Sequence, residues 1–200
     1  MTSNTEKLPL EYQSHQSQMN ILGFWVFIGA EIVLFSTLFA SYFVLEHNTA
    51  GGPSGHDIFV MKDVLIQTFI LLTSSFTAGL AIHSMRQSDK KGLFIWMVLT
   101  LLLGASFLFM EVREFIHYVD VGATLQTSGF TAALFTLLGA HGVHVTFGIV
   151  WISMLLIQLA KRGITKKTSS KFFIASLYWH FLDVVWIFIF TFVYLKGMMM

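Results

Sequence analysis

The sequence contains no cysteine. That excludes disulfides, thiolate zinc sites, thiolate-ligated iron–sulfur clusters and cysteine nucleophiles. Charge is scarce as well: only 12% of the 200 residues are Asp, Glu, Lys or Arg, against roughly 25% in a soluble domain. With 55% hydrophobic residues and 21 Phe, too little polar surface is left to coat a water-soluble globule. The net charge of +1 calls for no nucleic acid. A Pro/Ser/Gly-rich linker is missing, so the chain reads as one domain. Also missing are a phosphate-cradling glycine loop, a Ser/His/Asp arrangement and an HExxH zinc motif. Nothing here argues for catalysis by this chain alone. The N-terminus lacks the basic flank, short apolar run and cleavage site of a signal peptide, so the first apolar run is expected to stay as a membrane anchor.

What the chain does have is long apolar runs. A helix needs about 20 apolar residues to span about 30 Å of hydrocarbon. Five runs qualify: about Leu22 to Leu45, Val64 to Met85, Leu93 to Val112, Thr131 to Ala160, and Phe172 to Leu195. They are continuous rather than alternating, and five is an odd count for a bacterial barrel. The expected fold is all-α, a polytopic membrane bundle of five transmembrane helices. A polar segment at 1–21 precedes the membrane domain at 22–197, and a short tail at 198–200 follows it. Lys7, Arg86, Lys90, Lys91, Lys161, Arg162, Lys166, Lys167 and Lys171 fall on one side, nine of the twelve basic residues. By the positive-inside rule that side is cytoplasmic, so the N-terminus is inside and the C-terminus outside. Small residues four apart let helices approach in lipid. Ser75 with Gly79, and Ala132 with Thr136 and Ala140, are the expected close-approach positions.

Charged groups at bilayer depth cost about 2.5–3.5 kcal/mol on insertion scales, and they normally face protein or a cavity. Glu31 lies mid-span in the first run. It reads either as a proton-binding carboxylate or as a neutral carboxyl tying two helices together. His141 and His144 share a face of the fourth run, and His180 and Asp183 share one in the fifth. Together they suit a two-His, carboxylate metal site or a metal-free interhelical network. Trp179, Asp183, Trp186 and Phe190 make one stripe, in which two indole N–H donors are placed to hold Asp183. Glu111, Arg113, Glu114 and His117 fall where the third span leaves the membrane. They read as a solvated helix end, with Glu114 and His117 spaced to pair.

These clusters, in this order, resemble subunit III of haem-copper respiratory oxidases, over about Leu22 to Gly197. Tyr178-Trp179-His180-Phe181-Leu182-Asp183-Val184-Val185-Trp186 is similar to the family's Y-W-H-F-x-D-x-V-W. Gly139-Ala140-His141-Gly142-Val143-His144-Val145 is similar to its G-x-H-G-x-H-V, Glu31 to its intramembrane carboxylate, and Glu114-Phe115 to its outer-loop E-[FY]. Three residues before that Glu the family often has Gln, where this chain has Glu111. The usual seven-helix form carries two further N-terminal helices; the five-helix form is typical of bacterial quinol oxidases and some bacterial cytochrome c oxidases. Leu22-Gly23-Phe24-Trp25 and Ser176-Leu177-Tyr178-Trp179-His180-Phe181 look most like the menaquinol oxidases of Gram-positive bacteria.

The resemblance implies a bacterial plasma-membrane subunit without a catalytic centre. Haem and copper would lie in subunit I, its direct partner, with subunits II and IV in the same complex. Glu111, Glu114, His141, His144, Trp179, His180, Asp183 and Trp186 would then form a structural polar network without metal. Phospholipid would bind against the helices, with Trp25, Arg86 and His180 as candidate headgroup contacts.

Overall fold

A computed structural model describes residues 9–199. The described chain is all-helical. Five helices are long and apolar enough to cross a membrane: α1 (His15–Leu45), α3 (Met61–Arg86), α4 (Lys90–Asp120), α5 (Gly129–Arg162) and α6 (Lys166–Ile189). A π-helical stretch, Phe190–Leu195, carries α6 into the short α7 (Lys196–Met199); α2 (Gly55–Ile58) lies in the loop after α1. The five expected spans are all present, with longer ends. Those ends are set by polar caps, which hydropathy does not register. Ser14 accepts from the Ser17 N–H at 3.1 Å, and Asp89 from the Lys91 N–H at 3.0 Å. Ser128 caps α5 through Thr131, and Thr165 caps α6 through Thr168. Each satisfies a backbone donor with no partner inside its helix. Gly163 ends α5 at φ 67, a conformation glycine takes without steric cost. In the loop, the backbone N–H and hydroxyl of Ser54 hold the exposed Asp57 carboxyl below its usual range.

Lys7 and the rest of 1–8, together with residue 200 of the tail, lie outside the described residues. The later part of the 1–21 segment is ordered. A 3₁₀ turn at Leu10–Tyr12 docks on α6, where Tyr12 meets Phe173 edge-on at 5.6 Å, and α1 begins at His15.

The bundle is arranged around α6, which packs on α1, α3 and α5, while α4 packs between α3 and α5. Two indoles on one face of α6 organise the core, and both are fully buried. The Trp179 ring enters between α4 and α5. A Cβ added to Gly104 would lie 2.5 Å from that ring, and one added to Gly148 would lie 3.0 Å from it. Its Nε1–H donates to Ser74 Oγ of α3 at 3.0 Å. One turn-pair further on, Trp186 meets Phe107 of α4 edge-on at 4.7 Å and lies 5.4 Å from His141 of α5. Its Nε1–H donates to Thr68 Oγ1 of α3 at 3.0 Å. Both acceptor hydroxyls give their own proton to α3 carbonyls, Ser74 to Leu71 and Thr68 to Val64, each at 2.8 Å. That leaves a lone pair on each for the indole. The π-helical stretch accommodates an extra residue, so Tyr194 follows Trp186 on this face, 5.9 Å away.

The expected close-approach positions are met in part: Ser75 meets His180 of α6 and Ala140 packs against the core. Gly79 and Thr136 are exposed and Gly79 touches nothing across the bundle. The tight contacts are at Gly104, Gly142 and Gly148. Small residues at helical spacing mark a face without saying which neighbour covers it.

Van der Waals fit should outweigh hydrogen bonding here, since interhelical hydrogen bonds in lipid average only about 0.6 kcal/mol. Gly104→Val should therefore destabilise the bundle by about 1–3 kcal/mol through overpacking against Trp179. Ser74→Ala should cost about 0.6 kcal/mol. Thermal unfolding of the two variants in the purified assembly checks the order; equal losses would contradict it.

Candidate functional site

The polar side chains inside the spans cluster at two depths. The first is the middle of the bundle. Glu31 lies one residue past the centre of α1, and His144 and Ser75 are near the centres of α5 and α3. His180 sits about 20 Å from the start of α6 by helical rise, close to the middle of the span Lys166–Met199. Glu31 meets His144 across the α1–α5 contact, with Oε2 3.1 Å from Nε2. The other imidazole nitrogen, Nδ1, lies 2.6 Å from the Ala140 carbonyl of its own helix. A carbonyl only accepts, so Nδ1 carries a proton. With a neutral ring, Nε2 then accepts from a protonated Glu31; with an imidazolium, Nε2 donates to a carboxylate. Glu31 thus lies at a contact that ties α1 to α5.

His180 donates or accepts at Ser75 Oγ, 2.7 Å from its Nδ1, joining α6 to α3. Asp183 lies below it. Its Oδ2 is 3.8 Å from His180 Nδ1, too far for a hydrogen bond, and neither carboxyl oxygen has a hydrogen-bond partner among the described residues. The expected clamp of two indoles on Asp183 is not formed. Trp179, Asp183 and Trp186 do share the buried face, but both indoles reach sideways to α3. A helix stripe fixes direction only to within a turn, and the α3 hydroxyls are the better-placed acceptors.

The second depth is the end of the bundle away from the basic loops. Glu111 is only 2% exposed, so the solvated helix end expected there is incorrect for it. Its carboxylate packs against Gly142, where an added Cβ would lie 3.1 Å from Oε2, and it makes no hydrogen bond among the described residues. Glu114 accepts from Gln67 Nε2 of α3 at 2.9 Å and from the Tyr118 hydroxyl. It does not pair with His117, which faces outward as Arg113 does. A cavity of about 290 Å³ opens beside this cluster, lined by Asp63, Gln67, Arg113, Glu114 and His117 among others.

The four groups considered as metal ligands are directed apart. His141 is fully buried against Phe107 and Trp186, His144 faces Glu31, and His180 faces Ser75. Among the described residues, no three His, Asp or Glu side chains are grouped as metal ligands.

Of the candidate headgroup contacts, Trp25 is exposed on α1. Arg86 is committed to Glu11, with Nε at 3.0 Å and Nη2 at 2.7 Å from the same carboxylate oxygen. His180 is half-exposed near the middle of the span Lys166–Met199. Sequence reasoning missed this Glu11–Arg86 tie, as it missed Lys196 bridging both oxygens of Glu46 at 2.7 and 2.9 Å and lying over the Phe43 ring. A fully buried Glu11 carries no sequence signal beyond the apolar Leu10 and Tyr12 beside it.

The arrangement defines a polytopic α-helical membrane protein whose polar groups join helices at fixed depths. The sequence pattern of the family described as Cytochrome c oxidase subunit III matches residues 12–198, and the chain belongs to that family. Among curated relatives it is 62% identical to quinol oxidase subunit 3 of Bacillus subtilis (strain 168) over 190 residues, covering 95% of this chain and 93% of that one. It is 51% identical to the probable quinol oxidase subunit 3 of Staphylococcus saprophyticus, over 94% of each chain. It is 50% identical to cytochrome c oxidase subunit 3 of Bacillus sp. (strain PS3), over 92% of this chain and 88% of that one.

The Glu31–His144 geometry yields a test. A Gln side chain offers an N–H to Nε2, whereas Leu leaves that half-buried nitrogen unpaired. Glu31→Gln should keep stability within about 0.5 kcal/mol, and Glu31→Leu should lose about 1–3 kcal/mol. Thermal melting of the assembled protein measures both. Equal tolerance of Leu would mean the pair holds nothing together.

Proposed function

We propose that the chain is subunit III of a haem-copper quinol oxidase, a complex that oxidises quinol, reduces dioxygen to water and conserves energy as a proton gradient. The observation that carries the quinol reading is the higher identity to the quinol oxidase subunit 3 of Bacillus subtilis than to the cytochrome c oxidase subunit 3 of strain PS3. Electron chemistry is assigned to subunit I, which holds haem and copper, with subunits II and IV in the same assembly. The directions taken by His141, His144 and His180 favour that division, because these residues serve helix contacts.

This chain's own task is to stabilise subunit I and its lipids and to keep the proton entry supplied. Glu31 and the polar network of Glu111, Glu114, His141, His144, Trp179, His180, Asp183 and Trp186 hold the bundle in the shape that does so. The N-terminus is inside and the C-terminus outside. The ends of α3 and α5 and the starts of α4 and α6 gather the basic loops on one side, as the positive-inside rule requires. Those loops also suit anionic lipid, at about 1 kcal/mol per basic side chain near the surface. Trp25 remains a candidate lipid contact.

The test is purification from native membranes. The chain should co-purify with a haem-bearing partner, and the preparation should consume oxygen with quinol and not with reduced cytochrome c. Separated from its partners, the chain should show no haem absorption. Oxygen consumption driven by cytochrome c alone would reassign the donor. A chain that purifies without haem-bearing partners would overturn the reading.

A further inference from the structure

α6 presents three different faces. Phe181, Phe188 and Phe192 lie against Phe35, Phe39 and Phe43 of α1, with ring centroids 5.8–6.3 Å apart. Trp179 and Trp186 reach to α3. Between these two contacts runs a stripe of half-exposed His180 with exposed Val184, Ile187 and Thr191, which no helix among the described residues covers. The helices on either side, α1 and α3, pack on α6 rather than substantially on each other, so the stripe is the floor of a groove. On its α3 wall Gly79, one turn from Ser75, has nothing within 4 Å of an added Cβ.

The floor is not simply apolar. The His180 side chain is 40% exposed near the middle of the span, and its Nε2 has no partner among the described residues. Beneath it the buried Asp183 has two unpartnered oxygens. Acyl chains offer no hydrogen bond at that depth, and a polar group left bare in hydrocarbon is strongly disfavoured. A protein helix can satisfy the exposed His180 nitrogen, while the Asp183 oxygens stay enclosed beneath it. The four-three-four spacing of the stripe matches the seam of helices crossing at about +20°, and a polar side chain on the incoming helix would extend the Ser75–His180 hydrogen bond through Nε2.

We propose that this groove receives a transmembrane helix of another subunit of the oxidase, carrying a hydrogen-bonding side chain at mid-membrane opposite His180. The inference rests on the reading of the chain as an oxidase subunit. Because the chain has no cysteine and Val184 is exposed on the stripe, that position can be replaced without entering the core. A photo-crosslinking benzoylphenylalanine at Val184, activated in native membranes, is followed by purification of the intact complex and peptide mass analysis. Covalent attachment to a transmembrane segment of another co-purifying oxidase subunit is expected. Attachment only to lipid, or to a second copy of this chain, would overturn the proposal while leaving the complex, with its haem-bearing partners, in place. Absence of those partners would instead defeat the reading on which it rests. In the same complex, His180→Leu should raise the fraction of oxidase that loses this chain in detergent about threefold, as expected for one interhelical hydrogen bond in lipid, and His180→Gln should restore retention. Equal retention with Leu and Gln would also overturn the proposal.

Discussion

The Trp179 indole, seated between two glycines and hydrogen-bonded to a third helix, is the contact on which the bundle turns. In lipid a helix has no solvent to escape by associating with a neighbour, so packing quality and polar contacts must hold the assembly. Trp179 supplies both. Gly104 and Gly148 let α4 and α5 approach an α6 side chain too large for any other pair, and Ser74 fixes the ring's rotation from α3. Trp186 repeats the arrangement with Phe107, His141 and Thr68. A bundle locked at these two levels has little freedom to rotate α6, and the orientation of α6 decides where His180 and Asp183 point.

The same chemistry explains why hydroxyls rather than carboxylates receive the indoles. A Ser or Thr on a helix can donate to its own backbone and still accept once more, so its proton and a lone pair are both used without a charge in the core. A carboxylate in that position would bring desolvation with it. Asp183 stands beside the indoles but outside their reach, buried next to His180, whose Nδ1 lies 3.8 Å away.

Much of this was legible in the sequence, and the limit has a physical cause. The five spans follow from hydropathy, because any apolar run of that length must be helical in a membrane. The residues with chemistry in them were also visible, since polar groups in such runs are rare: Glu31, His144, His180, Asp183 and the two Trp all lie at contacts between helices or beside one. Their partners were not visible. Which residue Trp186 finds depends on the rotation and offset of α3 against α6, and nothing in either segment alone encodes that. The same gap misplaced the close-packed glycines, and it assigned Glu114 to His117 on its own helix when Gln67 on another was nearer. Outside the spans, the tie from Arg86 to Glu11 was hidden because a polar N-terminal segment gives no sign of folding back on the bundle.

Closed and open polar groups therefore carry different information. Glu31 and His144 satisfy each other within the chain, as Trp179 and Trp186 do with Ser74 and Thr68, and these pairs account for the bundle by itself. His180 has capacity left over near the middle of its span, on a half-exposed side chain. In a membrane protein standing alone in lipid that free nitrogen would favour replacement by an apolar residue, because the bundle contacts made by Trp179 and Trp186 do not require it. Its presence makes sense when the unsatisfied side is matched from outside, so the stripe on α6 belongs to the assembly rather than to the fold.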